Sequence, residues 1–411
     1  MEINNNRTKK SVLVQLGIMM FMQYLLLAVW WVQFAAYLEN LVHLESYQAT
    51  LILCSMAIGS MAAPLVGVIA DRYMNSEKLL AILNLLVAVF LFLAAQQTQF
   101  VGIIITVTLA MLCYMPSWSL TSSIAMTHVS SEQFPRIRII GSIGWVASGV
   151  FSLTAIHVFK VPIFDGTVYP LYCAAGIALL TALFNLSLPK TPPTADKAAK
   201  YSISDIFGLK VISTLKNKNF NRFIIITFLS TLPFVLYHVY GSMFFSYVNV
   251  KNITVTMNWG QLAEMFFLFV TTSILVKYGI KNAFIFGLSA MLLRYLSFYV
   301  GIEFGMQWLY SIGILAHGLI FGLFYVAGQV YTDKIVPPKL RAQAQGLLAF
   351  VTWGVGFLVG TLLNGWMIGN YKVNNHTDWS LLFLIATIAS VLLVLLMFTF
   401  FKNPSLEKRD N

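Results

Sequence analysis

Glu264 stands apart in the sequence as an acidic residue deep inside a long apolar stretch. The other acidic residues, of 15 in all, fall in polar segments or at the ends of apolar ones. Gln261 lies three residues earlier and so on the same helical face. Because charge inside a membrane is costly, an ionisable residue there is a candidate for function. We expect Gln261 to bind a polar substrate and Glu264 to accept hydrogen bonds or a proton; the alternative is a structural carboxylate paired with a neighbouring helix.

Arg138, Ser142 and Trp145 form a second candidate set at the start of another apolar stretch. Arg138 and Ser142 are spaced i, i+4 and Ser142 and Trp145 are spaced i, i+3, so all three share one helical face. A cation, a hydroxyl and an aromatic plane on one face suit a hydroxylated solute that carries a ring. The alternative is that Arg138 is an ordinary cytoplasmic anchor of its helix.

Arg294, His238 and His317 are further ionisable residues within apolar stretches. Arg294 is a candidate for substrate binding, for an interior ion pair with Glu264 or for contact with helix-end carbonyls. The two histidines are candidates for substrate binding or proton relay, and equally for hydrogen-bonded positions in the core. Aromatic residues of these stretches are expected to pack between helices or against lipid: Trp30, Trp31, Tyr237, Tyr240, Phe321 and Tyr325.

Asp71 and Arg72 place a carboxylate and a cation at the end of the second apolar stretch. We interpret them as a gate or structural brace at the cytoplasmic face rather than as a substrate site. The sequence contains no phosphate-binding glycine loop, nucleophile triad or metal-ligand spacing. The three cysteines lie in apolar stretches without a CxxC pair, which is typical of core residues. We therefore expect no enzymatic activity, no metal and no organic cofactor.

Composition identifies the elements that must position these residues. Of 411 residues, 58% are hydrophobic and 10% are charged, against roughly 25% charged in a soluble domain. The mean hydropathy of +0.78 agrees with an integral membrane protein in a lipid bilayer. The net charge of +11 sits in short clusters between apolar runs. That distribution orients membrane segments and argues against a nucleic-acid partner.

Apolar stretches of about 20 residues predict an all-α protein with twelve transmembrane helices in two halves of six. The predicted spans are 12–37, 46–70, 78–96, 100–124, 138–159 and 168–188, then 222–248, 257–278, 282–301, 306–331, 342–369 and 379–401. We expect domains at 1–188 and 220–411, joined by a cytoplasmic linker at 189–219. Within the linker, Ser202–Leu215 has the spacing of an amphipathic helix on the membrane surface.

Loop charges and an internal repeat support this organisation. Basic residues gather in alternate loops, and the other side holds only Lys160, Lys251 and Lys372, so we expect both termini in the cytoplasm. An offset of 205 residues superposes Arg136 and Gly141 on Arg341 and Gly346. Parallel halves with a binding pocket at their interface are typical of secondary transporters.

Several motifs give the chain a more specific resemblance. The segment from Gly67 to Arg72 is similar to the loop motif of the major facilitator superfamily, without its second glycine and following basic residue. The chain also resembles the nucleoside:proton symporters, on the segments Tyr114–Pro116, Arg136–Gly144, Gln261–Glu264, Tyr278–Asn282, Leu340–Gly346 and Thr377–Trp379. These segments occur in one order through nearly the whole chain.

The resemblance implies roles for particular residues. It assigns nucleoside contacts to these positions: Arg138, Ser142, Trp145, Gln261, Glu264 and Phe321. Ser142 replaces a threonine of the family and Trp145 a phenylalanine. Val235 and His238 stand where the family has polar amides, and His317 where it has a tyrosine. We include His238 among the substrate-binding candidates and Glu264 as the candidate for proton coupling.

Together these observations predict a bacterial inner-membrane importer that couples nucleoside uptake to the inward proton gradient. The coupling proton takes the place of a cofactor, and we expect a monomer. The main alternative is a proton-coupled importer of sugars or oligosaccharides, because hydroxyl-rich ligands need similar groups. A drug exporter would be expected to have a more apolar cavity. A polytopic enzyme would show a loop cluster of His, Asp or Ser, and a sensor would carry a signalling domain.

Overall fold

The computed structural model describes residues 10–40, 44–130, 133–193, 207–337, 340–374 and 376–402. These residues are helical almost throughout, because a chain in lipid must satisfy its backbone hydrogen bonds internally. The strands in the described ranges are β1 (Lys372–Val373) and β2 (His376–Thr377), which pair antiparallel.

The described residues before residue 190 form nine helices. They are α1 (Lys10–Trp31), α2 (Phe34–Asn40), α3 (Ser46–Leu53), α4 (Ser55–Arg72), α5 (Ser76–Ala94), α6 (Phe100–His128), α7 (Phe134–Ala147), α8 (Gly149–His157) and α9 (Tyr169–Asn185). Three pairs, α1 with α2, α3 with α4 and α7 with α8, each make one crossing interrupted by a short irregularity. Five of the six predicted spans of this half therefore coincide with a helical crossing, and the sixth corresponds to the shorter apolar helix α9.

The remaining helices follow the linker. They are α10 (Lys210–Leu215), α11 (Lys218–Tyr247), α12 (Ile253–Glu303), α13 (Leu309–Ile320), α14 (Ala327–Ile335), α15 (Arg341–Ala349), α16 (Phe357–Asn370) and α17 (Trp379–Phe400). A π-helical turn at Phe321–Val326 joins α13 to α14, and another at Phe350–Gly356 joins α15 to α16. Each of these joined pairs makes one crossing.

Helix α12 accounts for two of the predicted spans. Its 51 residues would extend about 76 Å at about 1.5 Å per residue, far more than a hydrocarbon core of about 30 Å. Gly279 divides it with φ of 78° and ψ of 171°, a conformation that glycine adopts without steric cost. The described helices thus agree with twelve crossings, as predicted.

The described residues belong to two compact units. Among them, the first unit comprises 10–40, 44, 58–130, 133–193 and 250–255, and the second comprises 45–57, 207–249, 256–337, 340–374 and 376–402. Two short segments, residues 45–57 and 250–255, depart from the division into 1–188 and 220–411, which stays a prediction.

Within the first unit, α1 packs against α7, and α5 packs against α6 and α9. Leu16 and Leu80 belong to the fully buried hydrophobic cluster at this contact. Gly144 brings α7 close to α1, since a Cβ there would lie 2.2 Å from the Phe21 carbonyl oxygen. Small residues allow such close approach between membrane helices. The crossing sets the Arg138 side of α7 against α1.

Within the second unit, glycines bring α12 and α13 into backbone contact. A Cβ on Gly318 would lie 2.4 Å from the Ala263 carbonyl carbon and 2.6 Å from the Glu264 nitrogen. A Cβ on Gly260 would lie 3.1 Å from the Ile314 carbonyl oxygen. This crossing fixes the surroundings of Glu264.

The end of the linker packs on the second unit. Residues 194–206 lie outside the described part of the chain, so the helix predicted for Ser202–Leu215 can be followed only at α10. Val211 is fully buried, and the Phe207 ring centroid lies 4.8 Å from that of Phe350. Placement on a membrane surface stays a prediction.

Candidate functional site

Glu264 and His317 form a buried pair in the second unit. Glu264 is 6% exposed and His317 is 8% exposed. The Nε2 atom of His317 lies 3.5 Å from Oε2 of Glu264. The two residues lie on α12 and α13, and Gly318 permits the contact because it follows His317 at the point where the two backbones touch. Glu264 therefore has a partner on a neighbouring helix, as the structural alternative predicts. That partner is a titratable histidine, so the same contact is also compatible with proton binding.

Aromatic rings enclose both histidines of this unit. The His317 ring stacks near Phe234, with centroids 6.3 Å apart, and near Phe321, with centroids 6.1 Å apart. The His238 ring also stacks near Phe234, with centroids 5.2 Å apart. Trp353 lies 5.7 Å from the His238 ring. His238 is half-buried, so it retains an accessible edge within this aromatic cluster.

Arg294 is a fully buried cation of the same unit. Its Nε donates a hydrogen bond of 3.0 Å to the Gly313 carbonyl oxygen. Its guanidinium carbon lies 4.1 Å from the centroid of the Tyr237 ring, a cation–π contact. Of the three predicted possibilities, the structure supports contact with a backbone carbonyl, although the carbonyl lies within α13 rather than at a helix end.

The other predicted residues of this unit differ in their exposure. Gln261 is half-buried on α12, one turn before Glu264, and Phe321 is half-buried at the start of its π-helical turn. Val235 is fully buried, and a Cβ on Gly360 would lie 3.1 Å from it. Val235 therefore fills the contact between α11 and α16. This packing explains why an apolar residue stands where the resemblance leads us to expect a polar amide.

A small cavity of about 50 Å³ lies beside these residues in the second unit. Phe321, Tyr325 and Trp353, all on the two π-helical turns, contribute to its wall. Gln329 and Gln345 also line it, and Gln345 Nε2 donates to the Gln329 carbonyl oxygen at 2.8 Å. Sequence reasoning missed both glutamines, which lie near the ends of apolar stretches where polar residues are common. π-Helical turns occur frequently at functional sites.

In the first unit, Arg138 is held by an aromatic residue. Its guanidinium carbon lies 4.5 Å from the centroid of the Tyr24 ring. Tyr24 accepts a hydrogen bond of 2.6 Å from Trp118 Nε1 and packs edge-on against that indole at 4.9 Å. Gly141 leaves room for this ring, because a Cβ there would lie 2.8 Å from it. Arg138 is half-buried in this contact, unlike an exposed anchor.

Ser142 and Trp145 follow on the same helix. Ser142 is 6% exposed, and Trp145 is half-buried and packs against the hydrophobic cluster of the first unit. Ser142 is thus a buried hydroxyl on α7, and Trp145 has a packing role. Their part in substrate binding stays a prediction.

A buried polar network behind Tyr24 escaped the sequence interpretation. Asn84 Nδ2 donates to Gln23 Oε1 at 3.1 Å, and the Tyr114 hydroxyl donates to the Gln23 carbonyl oxygen at 2.7 Å. Gln23 Nε2 in turn donates to the Ser117 hydroxyl oxygen. All four residues are buried. Gln23 and Asn84 stand inside predicted spans, so the rule that singled out Glu264 would have found them had it been extended to amides.

Asp71 and Arg72 end helix α4, with Asp71 exposed and Arg72 half-buried. Their gating role stays a prediction. Across the described residues, no three His, Cys, Asp or Glu side chains converge as metal ligands would.

Helices that agree with twelve membrane crossings, with ionisable side chains buried inside them, define a polytopic membrane transporter of the major facilitator fold. The fold agrees with the predicted class, and a transporter rather than an enzyme is also as predicted. The chain belongs to the nucleoside H+ symporter family, whose model matches residues 10–406.

Individual relatives cover nearly the whole chain. The Escherichia coli (strain K12) protein YegT, provisionally named a nucleoside transporter, is 31% identical, over 96% of this chain and 94% of its own. The nucleoside permease NupG of the same organism is 28% identical, over 95% and 96%. Its xanthosine permease is 26% identical, over 97% and 98%. The crystal structure of a NupG mutant superposes with a TM-score of 0.85 at 27% identity, over 95% of this chain and 100% of that one.

Proposed function

We propose that this protein imports nucleosides together with protons across the bacterial inner membrane. Membership of the nucleoside H+ symporter family supports the substrate class and the coupling ion. The names of the nucleoside and xanthosine permeases agree with that substrate class. The observation that carries the proposal is Glu264, a carboxylate buried inside a membrane helix with Gln261 one turn away.

Candidate nucleoside-binding side chains occur in both units, and we propose a role for each. In the first unit, Arg138 and Ser142 bind hydroxyl groups, and Trp145 offers an aromatic edge. In the second, Gln261 and Glu264 bind the ribose or the base. His238 and Phe321 belong to the aromatic cluster there, which suits a planar base because aromatic rings stack at distances of about 4.5–7 Å.

The transport cycle assigns two duties to Glu264. Its carboxyl group accepts hydrogen bonds from ribose hydroxyls whether or not it is protonated, and as a carboxylic acid it carries the proton. The inward proton gradient favours binding of the proton and the nucleoside when the site is open to the outside. It favours their release when the site is open to the cytoplasm, so the net result is import. We place both termini in the cytoplasm and propose a monomer as the transporting unit.

Uptake of radiolabelled uridine, adenosine and xanthosine into cells lacking their own nucleoside permeases tests this function. We expect accumulation above equilibrium with at least one of them, and its abolition by a protonophore. Excess nucleoside should compete with the label, whereas free ribose should not. Competition by ribose or oligosaccharides, without competition by nucleosides, would favour the sugar importer and contradict the proposal.

The variant Glu264→Gln separates binding from coupling. The amide keeps one acceptor oxygen but cannot take up the coupling proton, so we expect gradient-driven accumulation to fall at least about tenfold. Binding should weaken less, measured as nucleoside-dependent thermal stabilisation of the purified protein. Glu303→Gln, at the end of α12, is the matched control on the same helix. Undiminished accumulation by Glu264→Gln would remove Glu264 from the coupling role.

A further inference from the structure

The His317–Glu264 pair has an imidazole nitrogen that the fold leaves unused. Nε2 of His317 faces the Glu264 carboxylate at 3.5 Å. Nδ1 of the same ring is buried and makes no hydrogen bond to the described residues. A buried polar atom without a partner is rare and calls for an explanation. Since the other nitrogen is held by an acid, this atom is available for a proton or for a ligand.

The two nitrogens define where a proton can bind. With Glu264 ionised and His317 neutral, Nε2–H donates to the carboxylate and Nδ1 carries the lone pair. A proton that binds at Nδ1 gives an imidazolium that still donates to Glu264 through Nε2. The same proton on Oε2 of Glu264 would instead donate to Nε2, with the ring in its Nδ1–H tautomer. In both forms the pair has gained one proton, and its charge has changed from −1 to 0.

Charged and titratable groups reach this pair from three neighbouring elements. Helix α12 contributes Glu264 and the buried Arg294, and α11 contributes Tyr237 and His238. The π-helical turn after α13 contributes Tyr325. Tyr237 joins the cation to the pair, because its ring lies 4.1 Å from the Arg294 guanidinium carbon and 6.1 Å from the His317 ring. The positive charge of Arg294 therefore lies close to the pair and opposes a second cation on the His317 ring.

We propose that the coupling proton binds to the His317–Glu264 pair, with Nδ1 of His317 as its point of entry. His317 is then a proton-binding residue of the transport cycle. The proposed function assigned proton binding to Glu264 alone, and here both residues of the pair take part in it. Arg294 favours release of the proton because it repels the imidazolium. The inference rests on the proposed nucleoside import and names the site of its coupling ion.

Reconstituted protein in liposomes separates transport from coupling. Counterflow exchanges labelled for unlabelled nucleoside without net proton movement, whereas accumulation driven by an imposed pH gradient requires it. In His317→Gln the amide nitrogen can still donate to Glu264, but no basic ring nitrogen remains. We expect pH-driven accumulation to fall at least about tenfold and counterflow to stay within about threefold of the unmodified protein.

A matched control is His376→Gln, which removes an exposed histidine of the β hairpin in the same unit. It should leave both assays unchanged. His317→Tyr is the second variant, with a larger aromatic ring whose hydroxyl does not titrate near neutral pH; it should lose accumulation in the same way. Size-exclusion profiles and thermal unfolding show which variants fold. Substrate-induced proton uptake by the unmodified protein, followed with a pH dye, supplies a measurement that needs no variant.

The outcomes separate this inference from the proposed function. Unmodified protein that exchanges no nucleoside contradicts the proposed function. Unmodified protein that exchanges and accumulates nucleoside, with pH-driven accumulation intact in a folded His317→Gln or His317→Tyr, overturns the role of His317 alone. Unmodified protein that exchanges nucleoside without substrate-linked proton uptake contradicts the proton coupling of the proposed function, and this inference with it.

Discussion

Asp165 shows at the scale of one residue how a buried charge responds to its surroundings. It lies in the loop between α8 and α9, is 4% exposed, and accepts hydrogen bonds from Thr254 N at 2.8 Å and Thr254 Oγ1 at 2.9 Å. Burial raises the pKa of the Asp165 carboxyl above its ordinary value, and the hydrogen bonds from Thr254 offset only part of that rise. This burial was not predicted from the sequence, since an aspartate in a loop is normally solvated.

The raised pKa predicts a pH-dependent stability. A carboxyl that holds its proton more tightly when folded contributes most below its ordinary pKa, about 3.9, and that contribution is lost as pH rises through the raised value. Asp165→Asn keeps an acceptor for Thr254 without the buried charge. We therefore expect Asp165→Asn to be at least as stable as the unmodified protein at pH 7.5, with an advantage that shrinks towards pH 4.

Thermal unfolding in detergent across that pH range measures the effect. Asp165→Ala leaves both Thr254 donors without their acceptor and should cost about 1–3 kcal/mol. Asp333→Asn controls for the loss of one negative charge at a side chain that is 52% exposed. An Asn variant that unfolds well below the unmodified protein at pH 7.5 would mean that the ionised form is favoured at this site.

At the scale of elements, the bilayer explains what the sequence predicts well and what it does not. A crossing needs about 20 apolar residues, a length that can be read from the sequence, and each predicted span corresponds to a helix. The helix irregularities depend on contacts between helices and were not predicted, among them the two π-helical turns. The site shows the same division. Glu264 was identified by its charge within an apolar stretch. Its partner His317 lies 53 residues away, and their contact depends on the glycine crossing of α12 and α13, which the sequence does not show.

That crossing makes Gly318 a sensitive position. An alanine Cβ would lie within 2.6 Å of backbone atoms of Ala263 and Glu264, so α13 would have to move. We expect Gly318→Ala to destabilise the protein by about 1–3 kcal/mol and to separate His317 from Glu264, which should lower pH-driven accumulation at least about tenfold. Gly176→Ala, on α9 where a Cβ meets nothing within 4 Å, is the control and should unfold at the same temperature or higher. Equal stability and transport of both variants would show that α12 and α13 adjust without cost.

At the scale of the whole molecule, two lines of sequence evidence were independent and agreed. Apolar length gave twelve crossings, an even number, and loop charge gave one side rich in basic residues. An even number of crossings requires both termini on the same side. Membership of the symporter family agrees with the fold but does not orient the chain in a membrane. Orientation therefore rests on Lys160, Lys251 and Lys372 as the sole basic residues assigned to the outer side.

Reporter fusions test this orientation directly. Alkaline phosphatase folds only outside the cytoplasm, because its disulfides need an oxidising compartment. Fused after residue 402, or inserted in the linker at residue 200, it should be inactive, and inserted at residue 162 it should be active. A fluorescent protein fused after residue 402 should fold and fluoresce, which checks that the fusion is made. Active phosphatase at residue 402 with inactive phosphatase at residue 162 would invert the molecule. Asp165 would then lie on the cytoplasmic side, and the raised pKa of its carboxyl would respond to internal rather than external pH.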